Sequence, residues 1–180
     1  MHDLQTRLVQ AILAHSPVAD LMKTAWAWPI AESLHFIGLT LLIGTIGAFD
    51  LRLLGLGRRI PIAAMHRFIP WGIAGFALNA CTGLMFLLTE PDQYIYNPSF
   101  HFKVLFILIA GVNASTFYLT SYRQVFGAAS TGDVPRRAKL IAAISLCAWM
   151  GVITGGRLLT FYRPAPCHGA QTSLLLTCAP

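Results

Sequence analysis

Of the 180 residues, 56% are apolar and only 11% are charged, with a mean hydropathy of +0.62. A soluble domain carries about 25% charged residues, so this composition excludes both a water-soluble globule and a disordered chain, and the length fits one domain. The formal charge of +6, from 13 Lys and Arg against 7 Asp and Glu, sits in short segments between apolar runs with no interleaved aromatics. That pattern is membrane orientation and excludes a nucleic-acid surface.

In chain order, residues 1–24 form the first unit. Leu4, Leu8 and Ile12 recur at helical spacing among Asp3, Gln5, Arg7 and Gln10, which predicts a short amphipathic helix lying on the membrane interface. A basic start and a continuous apolar centre are both missing, so the segment is not expected to be a cleaved signal. Residues 25–163 contain four apolar runs near the ~20 residues needed to cross a bilayer. They are Trp28–Phe49, Phe68–Leu88, Phe100–Tyr122 and Leu140–Phe161. The runs are continuous, not alternating, so they predict helices and no strands. The expected fold is all-α, an integral membrane four-helix bundle.

Start and stop signals agree with these limits. Pro29 and Pro70 suit the first turns of spans one and two. Asn97-Pro98 reads as a cap followed by the first residue of span three, and Thr131-Gly132-Asp133 separates spans three and four. The loop after span one holds Arg52, Arg58, Arg59 and Arg67, and the loop after span three holds Arg123, Arg136, Arg137 and Lys139. The intervening loop carries Glu90 and Asp92 and no Lys or Arg. The positive-inside rule then expects a multi-pass protein of a bacterial inner membrane with both termini periplasmic. Trp26, Trp28, Tyr94, Tyr96 and Tyr162 are expected as an aromatic belt at the outer boundary.

Residues 164–180 form a periplasmic tail. Its Cys167 and Cys178 are able to pair in an oxidising compartment, bind a metal or stay reduced, whereas Cys81 and Cys147 lie within spans. Cys167-His168 lacks the upstream cysteine of a c-type haem motif, because Pro164 stands there. Phosphate loops, zinc-protease motifs and nucleophile elbows are absent. Gly151, Gly155 and Gly156 are expected to admit close helix packing, and Asn79, Asn113, Ser115 and Thr116 to hydrogen-bond between helices.

Ionisable residues inside spans are costly and mark candidate sites. Glu32, His35, His101, Lys103 and Arg157 lie within spans, and Asp50 and Arg52 close span one. At a rise of 1.5 Å per residue, His35 lies about 9 Å below Pro29, His101 about 4.5 Å below Pro98 and Arg157 about 7.5 Å from Tyr162. All three fall near the outer face. Two neutral imidazoles and a cation are what a b-type haem takes between helices. His35 and His101 are therefore candidate axial ligands and Arg157 a candidate propionate partner. Glu32, one turn before His35, is a candidate to orient the imidazole or to pair with Arg157, and Phe36, Phe102 and Trp149 are candidate apolar cover. Purely structural roles fit the same residues: a cross-helix hydrogen bond for His35, an interfacial site for His101 and snorkelling for Arg157. His66 reads as a solvated interfacial histidine on the inner side.

Ser33-Leu34-His35, Gly38, Gly44 and the run Asp50-Leu51-Arg52-Leu53-Leu54-Gly55 resemble a bacterial family of four-span inner-membrane proteins without an assigned activity. Pro70-Trp71, Gly75, Gly83, Asn97-Pro98, Phe100, Lys103, Trp149 and Gly156-Arg157 extend the resemblance over residues 30–160. It is loosely similar to b-type cytochrome membrane subunits as well. The resemblance implies four spans and marks His35, Asp50, Arg52 and Arg157, while His101 departs from the pattern. The functional expectation is an electron-transfer subunit carrying one b-type haem near the periplasmic face, with larger membrane or periplasmic redox subunits and quinone as partners. The alternative is a cofactor-free anchoring subunit; a small-solute transporter is a third, with only Asn79, Asn113 and nearby hydroxyls as a polar path.

Overall fold

The computed structural model describes Arg7, Ala11 and residues 17–127 and 134–162. Most of the expected interfacial helix, the Thr131–Asp133 boundary and the tail with Cys167 and Cys178 lie outside the described residues. Among those described, the chain is helical throughout with no strand. In order, the helices are α1 (Pro17–Met22), α2 (Ala27–Leu54), α3 (Ile62–His66), α4 (Ile69–Thr89), α5 (Pro91–Ile95), α6 (Pro98–Thr116), α7 (Tyr122–Gly127) and α8 (Arg136–Leu158). A π-helical turn, Phe117–Ser121, joins α6 to α7.

Helix ends follow local chemistry. Asn97 caps α6 by accepting from the Ser99 N–H at 2.9 Å. α2 ends at Gly55, whose φ of 110° lies in the left-handed region that a side chain disfavours. The Gly55 and Leu56 N–H groups then close the last turn onto the carbonyls of Arg52 and Leu51. Arg52 steadies the loop that follows by donating to the carbonyls of Ile60 at 2.6 Å and Arg58 at 3.1 Å.

Four stretches are long and apolar enough to cross a membrane: Ala27–Leu54, Ile62–Thr89, Pro98–Gly127 and Arg136–Leu158. Only 17% to 33% of each apolar window is buried inside the protein, so most of the apolar surface faces outward. The expected spans are recovered, with ends shifted: α2 runs five residues past Phe49, and α8 starts at Arg136, not Leu140.

The bundle is built from two tight pairs, α2 with α4 and α6 with α8, joined chiefly through α2 and α8. The α2–α4 contact is a glycine crossing. A Cβ on Gly75 would lie 2.6 Å from the Gly38 carbonyl oxygen, and one on Gly38 would lie 2.9 Å from that of Gly75. Only hydrogen at both positions lets the backbones approach this closely. In the α6–α8 pair, a Cβ on Gly151 would strike the Phe106 ring at 2.5 Å, and Gly155 sits under the Lys103 backbone. The packing role expected of Gly151 and Gly155 is thus what the fold uses, and Gly38 and Gly75 add a crossing of the same kind.

The apolar interior is split. At the basic end, Phe49, Leu53, Phe117, Val125, Ala138 and Ala142 form one cluster. At the opposite end, Met22, Ala31 and Phe86 form another, with Trp28 and Tyr94 packed on it. The π turn serves the first cluster. Its i→i+5 bonding widens one turn, which keeps Phe117, Ser121 and Val125 buried on one line.

Candidate functional site

His35 is half-buried on α2 and turned toward α4. Its Nδ1 lies 2.7 Å from Thr82 Oγ1. Thr82 Oγ1 also lies 2.8 Å from the Leu78 carbonyl, the usual acceptor of a threonine hydroxyl within its own helix. In the tautomer compatible with that bond, His35 Nδ1 donates to Thr82 and Nε2 carries a lone pair with no hydrogen-bond partner among the described residues. Asn79, one turn from Thr82, donates to the His35 carbonyl at 3.0 Å and pins the α2 backbone beside the ring. Phe86 stands edge-on to the imidazole at 5.7 Å, and Trp28 packs on Phe86 at 5.0 Å. Gly83 leaves room at the ring's Cε1, which a Cβ there would approach to 3.7 Å.

Lys103 is the second ionisable residue directed inward. Its backbone and Cβ lie over Gly155, and its ammonium lies beside Gly156. Residues two apart on a helix point about 200° from each other. His101 is accordingly on the opposite face of α6 and exposed, with its ring near Phe100.

The remaining candidate residues are placed as follows. Arg157 is exposed near the end of α8, with its guanidinium 5.2 Å over the Phe161 ring. Glu32 is exposed at the outer edge, where it and Glu90 act on Tyr94. Burial first, then those two carboxylates, push the Tyr94 hydroxyl up to about 12. Trp149 is half-buried against Phe76 of α4 at 6.3 Å. Among the described residues no hydrogen bond, ion pair or ring contact joins His35 to His101, Arg157, Glu32 or Trp149. Thr82, not Glu32, orients His35. Phe36 and Phe102 face outward, and the ring packed beside His35 is Phe86, with Trp28 behind it.

Other polar residues resolve into distinct roles. Asn79 and Asn113 bond across helices, Asn113 to the Ile141 carbonyl at 2.9 Å. Ser115 and Thr116 instead bond back within α6, to Gly111 and Val112. Tyr96 is 1% exposed and belongs to the core, not to an interfacial belt, whereas Trp26 and Tyr162 are exposed as a belt requires.

Two features had no clear sequence signal. His66 is not simply solvated: it is ringed by Phe49, Tyr118, Tyr122 and Phe126 at 4.9–6.1 Å and meets the Tyr118 hydroxyl at 3.3 Å. Asp50 is buried beside Ser145 of α8 and keeps Oδ2 unpartnered among the described residues. No group of three or more His, Cys, Asp or Glu converges among the described residues. Compared with family models, curated proteins and solved structures, the chain matches none.

Proposed function

We propose that the chain is a multi-pass membrane subunit of an electron-transfer complex, with His35 as an axial ligand to one b-type haem. The carrying observation is the Thr82 contact at His35 Nδ1, which in the Nδ1–H tautomer leaves the Nε2 lone pair open to a metal. Histidines that bind metal characteristically have their other ring nitrogen held in this way. Trp28 and Phe86 supply apolar walls, and the inward Lys103 supplies a cation suited to a propionate. A haem bound there would supply one-electron exchange. What the chain itself does is hold the imidazole in one tautomer and one orientation. His101 and Arg157, exposed on the outer faces of α6 and α8, are in this reading presented to larger membrane or periplasmic redox subunits, with quinone as a candidate acceptor. The basic loops support an inner-membrane protein with both termini periplasmic.

A second reading, a cofactor-free anchoring subunit, is favoured by the way the His35 ring packs between Phe86 and Gly83 and links two spans by itself. The spectrum of the intact chain, purified in mild detergent after expression with ample haem, separates the two. Dithionite-reduced minus oxidised absorbance should show a low-spin b-type α-band that disappears in His35→Ala. A flat wild-type spectrum from folded material would contradict the haem reading and favour the anchor.

A further inference from the structure

A groove of about 630 Å³ runs along the outside of the α6–α8 pair, between Leu108, Val112 and Thr116 on one side and Leu140 and Ile144 on the other. Arg137 closes one end of it, beside Thr120. Along α6 and the π turn, Leu108 to Thr120 spans about 18 Å. One leaflet of a ~30 Å hydrocarbon core is about 15 Å deep. The groove therefore has the reach of a single leaflet, with its cation at the depth of a headgroup.

The groove's own polar groups are already committed. Asn113 donates to the Ile141 carbonyl, Thr116 to Val112 and Thr120 to Thr116. Arg137 is exposed and makes no hydrogen bond or ion pair among the described residues. It sits in the first turn of α8, where the helix dipole also favours an anion, and Arg136 and Lys139 share that turn. A largely apolar channel that ends in a guanidinium unpaired among the described residues matches an anionic amphiphile better than a neutral one.

The geometry points to a specific site for one anionic phospholipid, with an acyl chain in the α6–α8 groove and its phosphodiester on Arg137. Arginine binds phosphate oxygens in a bidentate fork, which separates such a site from diffuse attraction to basic side chains. The occupant belongs to the leaflet at the basic end of the bundle, where anionic lipid is attracted by juxtamembrane Lys and Arg.

The test is native mass spectrometry of the full chain, delipidated in mild detergent and titrated with dioleoylphosphatidylglycerol or dioleoylphosphatidylcholine. Wild type should retain one phosphatidylglycerol per chain in preference to phosphatidylcholine. Arg137→Gln should weaken that binding about five-fold, while Arg136→Gln, outside the groove lining, should change it less. Val112→Trp fills the groove at a residue that is 68% exposed, so it leaves the core intact and should abolish the retained lipid. Equal retention of the two lipids by wild type would overturn the proposal. So would equal losses in Arg136→Gln and Arg137→Gln, or full binding by a Val112→Trp chain whose circular dichroism shows it folded.

Discussion

Thr82 and His35 illustrate how one hydroxyl decides the chemistry of a distant ring. Thr82→Val keeps the shape and removes the hydroxyl that meets the half-buried His35 Nδ1, at a cost of about 0.5–1.5 kcal/mol. The variant should therefore unfold earlier in detergent, and its His35 should lose its tautomer preference, as read from imidazole ¹⁵N shifts. Tyr94 offers a pH test. Its pKa is raised toward 12 from an ordinary value near 10, so its stabilising contribution is complete below pH 10 and is lost as pH climbs through 12. Melting temperature against pH should fall less steeply over that window in Tyr94→Phe. At this scale the sequence was half legible. The cost of an ionisable residue in an apolar run singled out His35 and Lys103. The partner of His35 was hidden because Thr82 lies 47 residues away, and hydroxyls in apolar helices usually bond back to their own turn. The aromatic cage of His66 was hidden for a similar reason, because its rings come from three other elements.

Among elements, the α2–α4 crossing is where small residues matter most. Gly75→Ala would push a methyl group onto the Gly38 carbonyl, and the pair must separate, costing about 1–3 kcal/mol. Gly44 of α2, the helix that carries Gly38, has nothing within 4 Å of a would-be Cβ. Gly44→Ala should instead stabilise by about 0.5–1 kcal/mol through reduced chain entropy. Unfolding free energies of the two variants in mixed micelles check both signs. Asn97 joins two elements at once. It caps α6 and donates to the Leu159 and Tyr162 carbonyls at 3.2 and 2.5 Å. Asn97→Ala should cost at least about 2 kcal/mol in the same assay, because the cap and both carbonyl partners are lost together. The Asn97-Pro98 cap was legible from sequence because capping is local. The π turn was not, since one extra residue in a turn leaves apolar content unchanged. The extension of α2 past Phe49 was missed because Asp50 and Arg52 mimic a polar boundary, although Asp50 is in fact buried against α8.

At the scale of the whole molecule, the two tight pairs place His35 and Lys103 toward the bundle interior and leave His101 and Arg157 outside. Depth could be computed from sequence, and it put His35, His101 and Arg157 in one layer. Facing could not, because it depends on which helices are neighbours, and α6 packs chiefly on α8, not on α2. The grouping of His35 with His101 therefore rested on depth alone. Arg58, Arg59, Arg67, Arg123, Arg136, Arg137 and Lys139 gather at one end of the bundle, which should face the cytoplasm. A reporter that folds only outside the cytoplasm should be active after Asp92 and inactive after Arg59. Haem content per chain bears most directly on the central claim. Measured as the pyridine haemochrome from parallel preparations, it should be one in wild type and near zero in His35→Ala, and Thr82→Val should bind haem about 10- to 100-fold more weakly. Equal haem in wild type and His35→Ala, or none in a folded wild-type chain supplied with haem, would contradict it.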